Sequence, residues 1–174
     1  MSEHNDAGQE LTDDERTEAD QQAIAELVER GGIAVVTTVA EDGSLVSRPL
    51  ALQKRPFDGD LYFFTPDPSD KTDQVRRNPQ VNVAIESRGD YLSIAGSASV
   101  TTDRALIDEL WSPGAQAWFE GGKDDPAVSL IKVHAESAEL LSTESPKIIA
   151  MAKYAKAMIT KDQPDVGEKT RLDL

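Results

Sequence analysis

Six short runs of alternating or β-branched residues constrain this chain more than any other feature. They are Ile33 to Ala40, Leu45 to Gln53, Leu61 to Thr65, Val81 to Glu86, Tyr91 to Thr101 and Val128 to Leu141. Their length and composition suit strands. Asp58-Gly59-Asp60 is a turn at the end of a longer gap, while two other gaps are tight turns: Glu41-Asp42-Gly43-Ser44 and Arg88-Gly89-Asp90. Connections this short join antiparallel neighbours, because a parallel crossover needs a dozen residues or more. In the first turn Gly43 can take the positive φ that a hairpin requires. Helical spacing occurs only between or outside these runs. Ala19, Ala23, Ile24, Leu27 and Val28 fall on one face of a helix that Thr12-Asp13-Asp14-Glu15 would cap and Gly31-Gly32 would end. A short helix is expected from Ser69 to Arg77, stopped by Asn78-Pro79. Residues 103–119 read as helical, broken at Pro113-Gly114. Glu144-Ser145-Pro146 opens a last helix with Ile148, Met151, Ala155 and Met158 on its apolar face. The pattern predicts a mainly β fold: a six-stranded antiparallel barrel with peripheral helices.

The organisation expected is a single domain over residues 12–162. An acidic tail, 1–11, without periodic apolar positions precedes it and reads as disordered; a polar tail, 163–174, follows. No apolar run approaches the roughly 18 residues of a membrane span. The formal net charge is -14, so nucleic acid and acidic membrane surfaces would be repelled, and neither is expected as a partner. The first thirty residues concentrate much of that charge, with ten acids against Arg16 and Arg30. There is no cysteine, which excludes disulfides and thiol catalysis and fits a cytoplasmic setting. His4 and His134 are far apart in sequence, so a histidine metal site or triad is not expected. No phosphate-binding glycine motif is present.

Two cations carry the chemistry. Arg48 shares a strand face with Val46, Leu50 and Leu52. It is either a strand-end arginine reaching solvent or a salt bridge, or an anion ligand. Pro49 beside it cannot donate to a ladder, so this strand is an edge or is bulged. Lys71 lies in the first turn of the short helix, where a cation opposes the helix dipole. It is either an exposed lysine paired with Asp67 or Asp70, or part of a phosphate site. In the second case the free N–H groups of the helix start and the hydroxyls of Thr65, Ser69 and Thr72 would assist it. Together, Arg48 and Lys71 suit a phosphate monoester. Of Phe63 and Phe64, one should face inward. Trp111 and Trp118 have core or dimer packing as their default, and stacking on a planar ligand as the functional alternative.

In order, the chain carries Thr37-Thr38-Val39-Ala40-Glu41-Asp42-Gly43, Ser47-Arg48-Pro49-Leu50-Ala51 and Asp58-Gly59-Asp60-Leu61-Tyr62-Phe63-Phe64-Thr65. Lys71, Val75-Arg76-Arg77-Asn78-Pro79-Gln80-Val81, Gly96-Ser97-Ala98, Leu110-Trp111-Ser112-Pro113, Ala117-Trp118-Phe119 and Gly122-Lys123-Asp124-Asp125-Pro126 follow. This succession resembles the general-stress branch of the pyridoxamine 5'-phosphate oxidase-like FMN-binding split barrels over roughly residues 20–170. The resemblance implies an FMN site at a homodimer interface. It assigns the phosphate to Arg48 and Lys71, with Ser69 in the helix-start loop. It lays Pro49, Leu50 and Ala51 along the flavin ring, and it matches Phe64 and Thr65 to the family's aromatic–threonine pair. On the stacking alternative given above, Trp111 and Trp118 would lie beside the ring. Asp70 stands where true oxidases carry an arginine, and Tyr91 where they carry a glutamine. Their tryptophan- and arginine-bearing C-terminal segment has no counterpart, so pyridoxamine-phosphate oxidase activity is not expected. The implied function is a flavin-dependent oxidoreductase linked to general stress, acting on a small molecule the sequence does not name. A deazaflavin-dependent reductase on the same fold, a flavin-binding or interaction protein without turnover, and FAD in place of FMN stay open. No catalytic residue is assigned.

Overall fold

The structure, a computed structural model, describes residues 13–142 and 168–173. The expected acidic tail and the helix from Glu144 lie outside those residues, as does the Thr12 cap. The described elements are α1 (Asp13–Arg30), β1 (Ile33–Val39), β2 (Leu45–Ala51), β3 (Asp60–Pro66), α2 (Asp70–Arg77), β4 (Gln80–Ser87) and β5 (Asp90–Thr101). They continue with α3 (Arg104–Leu110), α4 (Pro113–Trp118), β6 (Val128–Ser142) and β7 (Glu168–Asp173). All six expected strands are present, and every strand pairing is antiparallel.

The sheet runs β2-β1-β4-β5-β6-β3, with β7 on β6. Its two ends, β2 and β3, approach one another at a bridge between Leu52 and Phe63 and a bond from Gln53 N–H to the Tyr62 carbonyl (3.0 Å). The sheet therefore curls into a half-barrel. Alternation decides what fills it. Val36, Phe63, Val83, Ile94 and Val133 point inward from five strands and are fully buried, and Ile24 and Leu27 of α1 close one end. The helix stops at Gly31, whose N–H reaches the carbonyls of Leu27 and Val28 at 2.9 and 3.1 Å. At the β1–β2 hairpin Gly43 has φ +82°, a conformation other residues adopt only with strain.

Strand β3 and the first residues of β6, Val128–Ile131, are buried on both faces, which explains their apolar runs; beyond Ile131, β6 alternates, with His134 and Glu136 exposed. Leu61 and Phe63 enter the barrel. Tyr62 joins Val128 and Leu130 in a second cluster beneath α3 and α4, with Ile107, Leu110 and Phe119, and Phe64 packs against it. One of the two phenylalanines thus faces inward. The 103–119 segment is two helices, and the break falls at Trp111-Ser112, ahead of Pro113-Gly114. The Ser112 hydroxyl accepts from Ala115 N–H at 3.2 Å and Pro113 occupies the first turn, so the proline starts a helix here and does not end one. The polar C-terminal tail needs a correction as well: Glu168–Asp173 is a strand, paired with Ser137–Ser142 of β6. Among the described residues no helix is long and apolar enough to cross a membrane.

Candidate functional site

A groove of about 710 Å³ opens beside the end of β2 and the start of α2. Pro49, Leu50 and Ala51 of β2 form one wall, and Phe64 and Pro66 of β3 form another. Trp111, Trp118 and Phe119 of the α3–α4 region complete it. The volume falls in the range of ordinary small-molecule sites, and the lining is mainly apolar, as such sites usually are. Phe64, Trp111 and Phe119 meet edge-on or tilted, with centroids 5.4, 6.2 and 6.1 Å apart, so these rings hold one another in place. Trp111 is therefore a packing residue with one side on the groove. Trp118 is different: it is 83% exposed.

Lys71 lines the groove and Arg48 stands behind it. Lys71 is the second residue of α2, half-buried, and no carboxylate among the described residues pairs with it. Asp67, one partner the sequence offered, is bound to Arg76, whose Nη1 donates to it at 2.8 Å. Asp70 acts on Lys71 only through space. Burial, and next the neighbouring Arg48 guanidinium, hold the Lys71 ammonium below the usual lysine range. Arg48 is half-buried on the face of β2 that carries Val46 and Leu50. Its Nη1 donates to Thr38 Oγ1 at 2.8 Å and its Nη2 to Gln74 Oε1 at 2.9 Å. Burial lowers its pKa too, against the pull of Asp70. The two cations are thus adjacent and partly desolvated, and among the described residues no carboxylate is bonded to either. Of the two alternatives that Pro49 left open, edge or bulge, the sheet order gives the first: β2 is at the end of the sheet.

The other expected site residues are placed less simply. Ser69 is the N-cap of α2 and forms a reciprocal capping box with Thr72, whose Oγ1 accepts from Ser69 N–H at 2.9 Å. Thr72 is fully buried in that role. Thr65 is buried on the barrel side of β3, and its hydroxyl donates to the Pro66 carbonyl at 3.2 Å. Neither Ser69 nor Thr65 lines the groove. Thr38 and Gln74 carried no site signal in the sequence, being an ordinary strand threonine and an ordinary helix glutamine. Glu109, which also lines the groove with Lys54, carried none either.

Asp60 lies elsewhere. Burial pushes its carboxyl up, but bonds from Lys132 (2.7 Å) and His134 (2.9 Å) outweigh this and hold it below the usual range. These contacts tie β3 to β6 and involve no groove residue. Among the described residues, no group of three or more histidine and acidic side chains is arranged to hold a metal ion.

A family model described as pyridoxamine 5'-phosphate oxidase like matches residues 19–165. The chain belongs to this family. Among relatives of the pyridoxamine 5'-phosphate oxidase-like chain, Protein bli-3 of Neurospora crassa is 31% identical over 137 residues, 72% of this chain. General stress protein 26 of Bacillus subtilis is 30% identical over 93 residues, 49% of this chain. The chain spans 66% of the length of each of these two curated relatives. Among solved structures, a candidate general stress protein 26 from Jannaschia sp. CCS1 superposes with a TM-score of 0.69 at 28% identity, covering 90% of this chain and 99% of that one. The general stress FMN/FAD binding protein of Xanthomonas citri superposes with a TM-score of 0.66 at 28% identity, covering 74% of this chain and 92% of that one. The half-barrel described above is therefore the split barrel of the general stress branch of the pyridoxamine 5'-phosphate oxidase-like family.

Proposed function

We propose that this protein binds FMN in the groove and serves as a flavin-dependent oxidoreductase of the general stress type. The observation that carries the reading is Lys71: a half-buried ammonium on an apolar groove, with no carboxylate partner among the described residues and Arg48 at its back. Such an arrangement is costly for the empty protein and is relieved by an anion. A phosphate monoester joined to a flat ring system meets both parts of the site. The phosphate would be held by Lys71 and Arg48, and the ring would lie along Pro49, Leu50 and Ala51 against Phe64 and Trp111. The solved relative from Xanthomonas citri, named for FMN/FAD binding, supports the same choice. FMN is preferred over FAD because the described residues of the groove offer no further cluster of cations for a second phosphate. For the same reason a deazaflavin with a long anionic tail is a poorer fit.

The flavin would supply the hydride or electron transfer. The chain's contribution is positional. Among the described groove residues only Lys54, Lys71 and Glu109 can ionise, and the aromatic wall keeps water from one side. Ser69 and Thr65 act indirectly, the first by capping the helix that presents Lys71, the second from within the barrel. The purified protein is expected to carry a visible flavin spectrum, and mass measurement of the extracted cofactor should give FMN. A colourless protein that takes up no added FMN would sink the proposal. NADH or NADPH turnover then separates an enzyme from a flavin carrier.

The site is proposed to be completed by a second copy of the chain. Ile33 (60% exposed) and Val35 (44% exposed) form an apolar strip on the outer face of β1, in register with Ala51 and Pro49 of β2. Ile33, Pro49, Ala51 and Trp118 also border the groove, so a partner that covered the strip would enclose the ligand. Light scattering at micromolar concentration should return about twice the 18.9 kDa chain mass. A single species of chain mass would remove the dimer and leave the groove open.

A further inference from the structure

Arg48 has an unusual set of partners for a desolvated guanidinium: both are neutral. Topology brings them together. On β1, Ala34, Val36 and Thr38 face inward and are buried, and Val36 is paired with Arg48. Thr38 is therefore beside the guanidinium. From above, α2 lowers Gln74, one turn after Lys71, onto the same spot. Arg48 Nη1 donates to Thr38 Oγ1 (2.8 Å), Arg48 Nη2 donates to Gln74 Oε1 (2.9 Å), and Thr38 Oγ1 donates to Gln74 Oε1 (2.6 Å). The three side chains close a ring in which one amide oxygen accepts twice.

A glutamate at position 74 would have the same reach and the same acceptor geometry. It would also add a charge-assisted bond to the arginine, which is stronger than the neutral one. An amide there gives up that gain, and what it preserves is the positive charge. We propose that Gln74, supported by Thr38, is a positioning residue that fixes the Arg48 guanidinium without neutralising it, and so sets the preference of the groove for a phosphorylated flavin over the same ring system without phosphate. This rests on the phosphate reading of Arg48 and Lys71 given above. It goes beyond that reading by assigning the selectivity to two uncharged residues that touch no ligand themselves.

The test is Gln74→Glu in the full chain stripped of flavin, titrated with FMN and with riboflavin by fluorescence quenching, with the melting temperature measured alongside. FMN affinity should fall about ten-fold or more, on the scale of losing a charge-assisted contact. Riboflavin affinity should stay within about two-fold, and the melting temperature should hold or rise, because a new ion pair has formed. A purely structural role makes the opposite forecast, since glutamate keeps both acceptor bonds and FMN binding would be unchanged; that result overturns the proposal. If Gln74→Glu does not fold, Gln74→Leu serves instead. It is neutral but accepts nothing, so the freed guanidinium should lose several-fold of its preference for FMN over riboflavin, and an unaltered preference again overturns the idea. A wild-type protein that binds FMN and riboflavin equally would bring down the phosphate reading itself, and this inference with it. An unaltered variant beside a selective wild type brings down the inference alone.

Discussion

Lys71→Glu is expected to weaken FMN binding by about 2–5 kcal/mol, the cost of breaking an interfacial charge pair, while the apo fold stays intact. The first half follows from position. Lys71 lines the groove with Arg48 at its back, so a glutamate there would face the phosphate and convert a charge-assisted contact into repulsion. The second half follows from what Lys71 lacks. No carboxylate among the described residues is bonded to it, so the substitution breaks no ion pair. At the second residue of α2 a lysine opposes the helix dipole and a glutamate suits it. Relief of the Lys71–Arg48 repulsion works in the same direction. Riboflavin should bind wild type and variant alike, and flavin fluorescence titration would read all four affinities. A variant that holds FMN as tightly as wild type would move the phosphate elsewhere. Arg76, Arg77 and Arg55 already have carboxylate partners in Asp67, Glu41 and Asp58, which leaves Lys54 on the groove as the next candidate.

Gly96→Ala is expected to destabilise the protein by about 3 kcal/mol or more, at the upper end of what overpacking costs. Gly96 sits where the register between β5 and β6 shifts: Ala95 is paired with Ser137, and Gly96 with Ala135. The extra residue on β6, Glu136, interrupts the ladder at that point. A methyl group on Gly96 would overlap the carbonyl oxygen of His134 and lie 3.0 Å from its carbonyl carbon and 3.2 Å from the Ala135 Cα. All three obstacles are backbone, so no side chain can swing aside. Urea unfolding would measure the loss. A variant within about 0.5 kcal/mol of wild type, the range of ordinary surface changes, would show that the two strands separate more easily than their pairing implies.

Much of this architecture was legible in the residues because local and global preferences agree. Alternation marked β1, β2, β4 and β5, turn chemistry marked Gly43 and Gly89, and the Asn78-Pro79 stop marked the end of α2. Arg48 and Lys71 stood out because a cation on an apolar face, or at the start of a helix, is locally unfavourable. What stayed hidden has no local cost to betray it. Thr38 is at home in any strand and Gln74 on any half-exposed helix; only the pairing of β1 with β2 and the descent of α2 onto the barrel end make them partners of Arg48. Glu168–Asp173 offers almost no β-branched content, so β7 exists because β6 has an edge for it to join and not because of its own propensity. The resemblance placed Thr65 and Ser69 at the site, yet their hydroxyls are engaged with the backbone of β3 and in the cap of α2.

The division of β6 between two partners bears on motion. Its residues Val128–His134 are zipped to β3, and its residues Ser137–Ser142 to β7, while β5 runs along the other side of both. The junction falls at Ala135 and Glu136, next to the register shift. β7 can therefore fray without breaking any hydrogen bond that holds β3, Phe64 and the groove wall. Amide protection along β6 should then divide into two cooperative units, a labile one shared with the C-terminal strand and a persistent one shared with the ligand site.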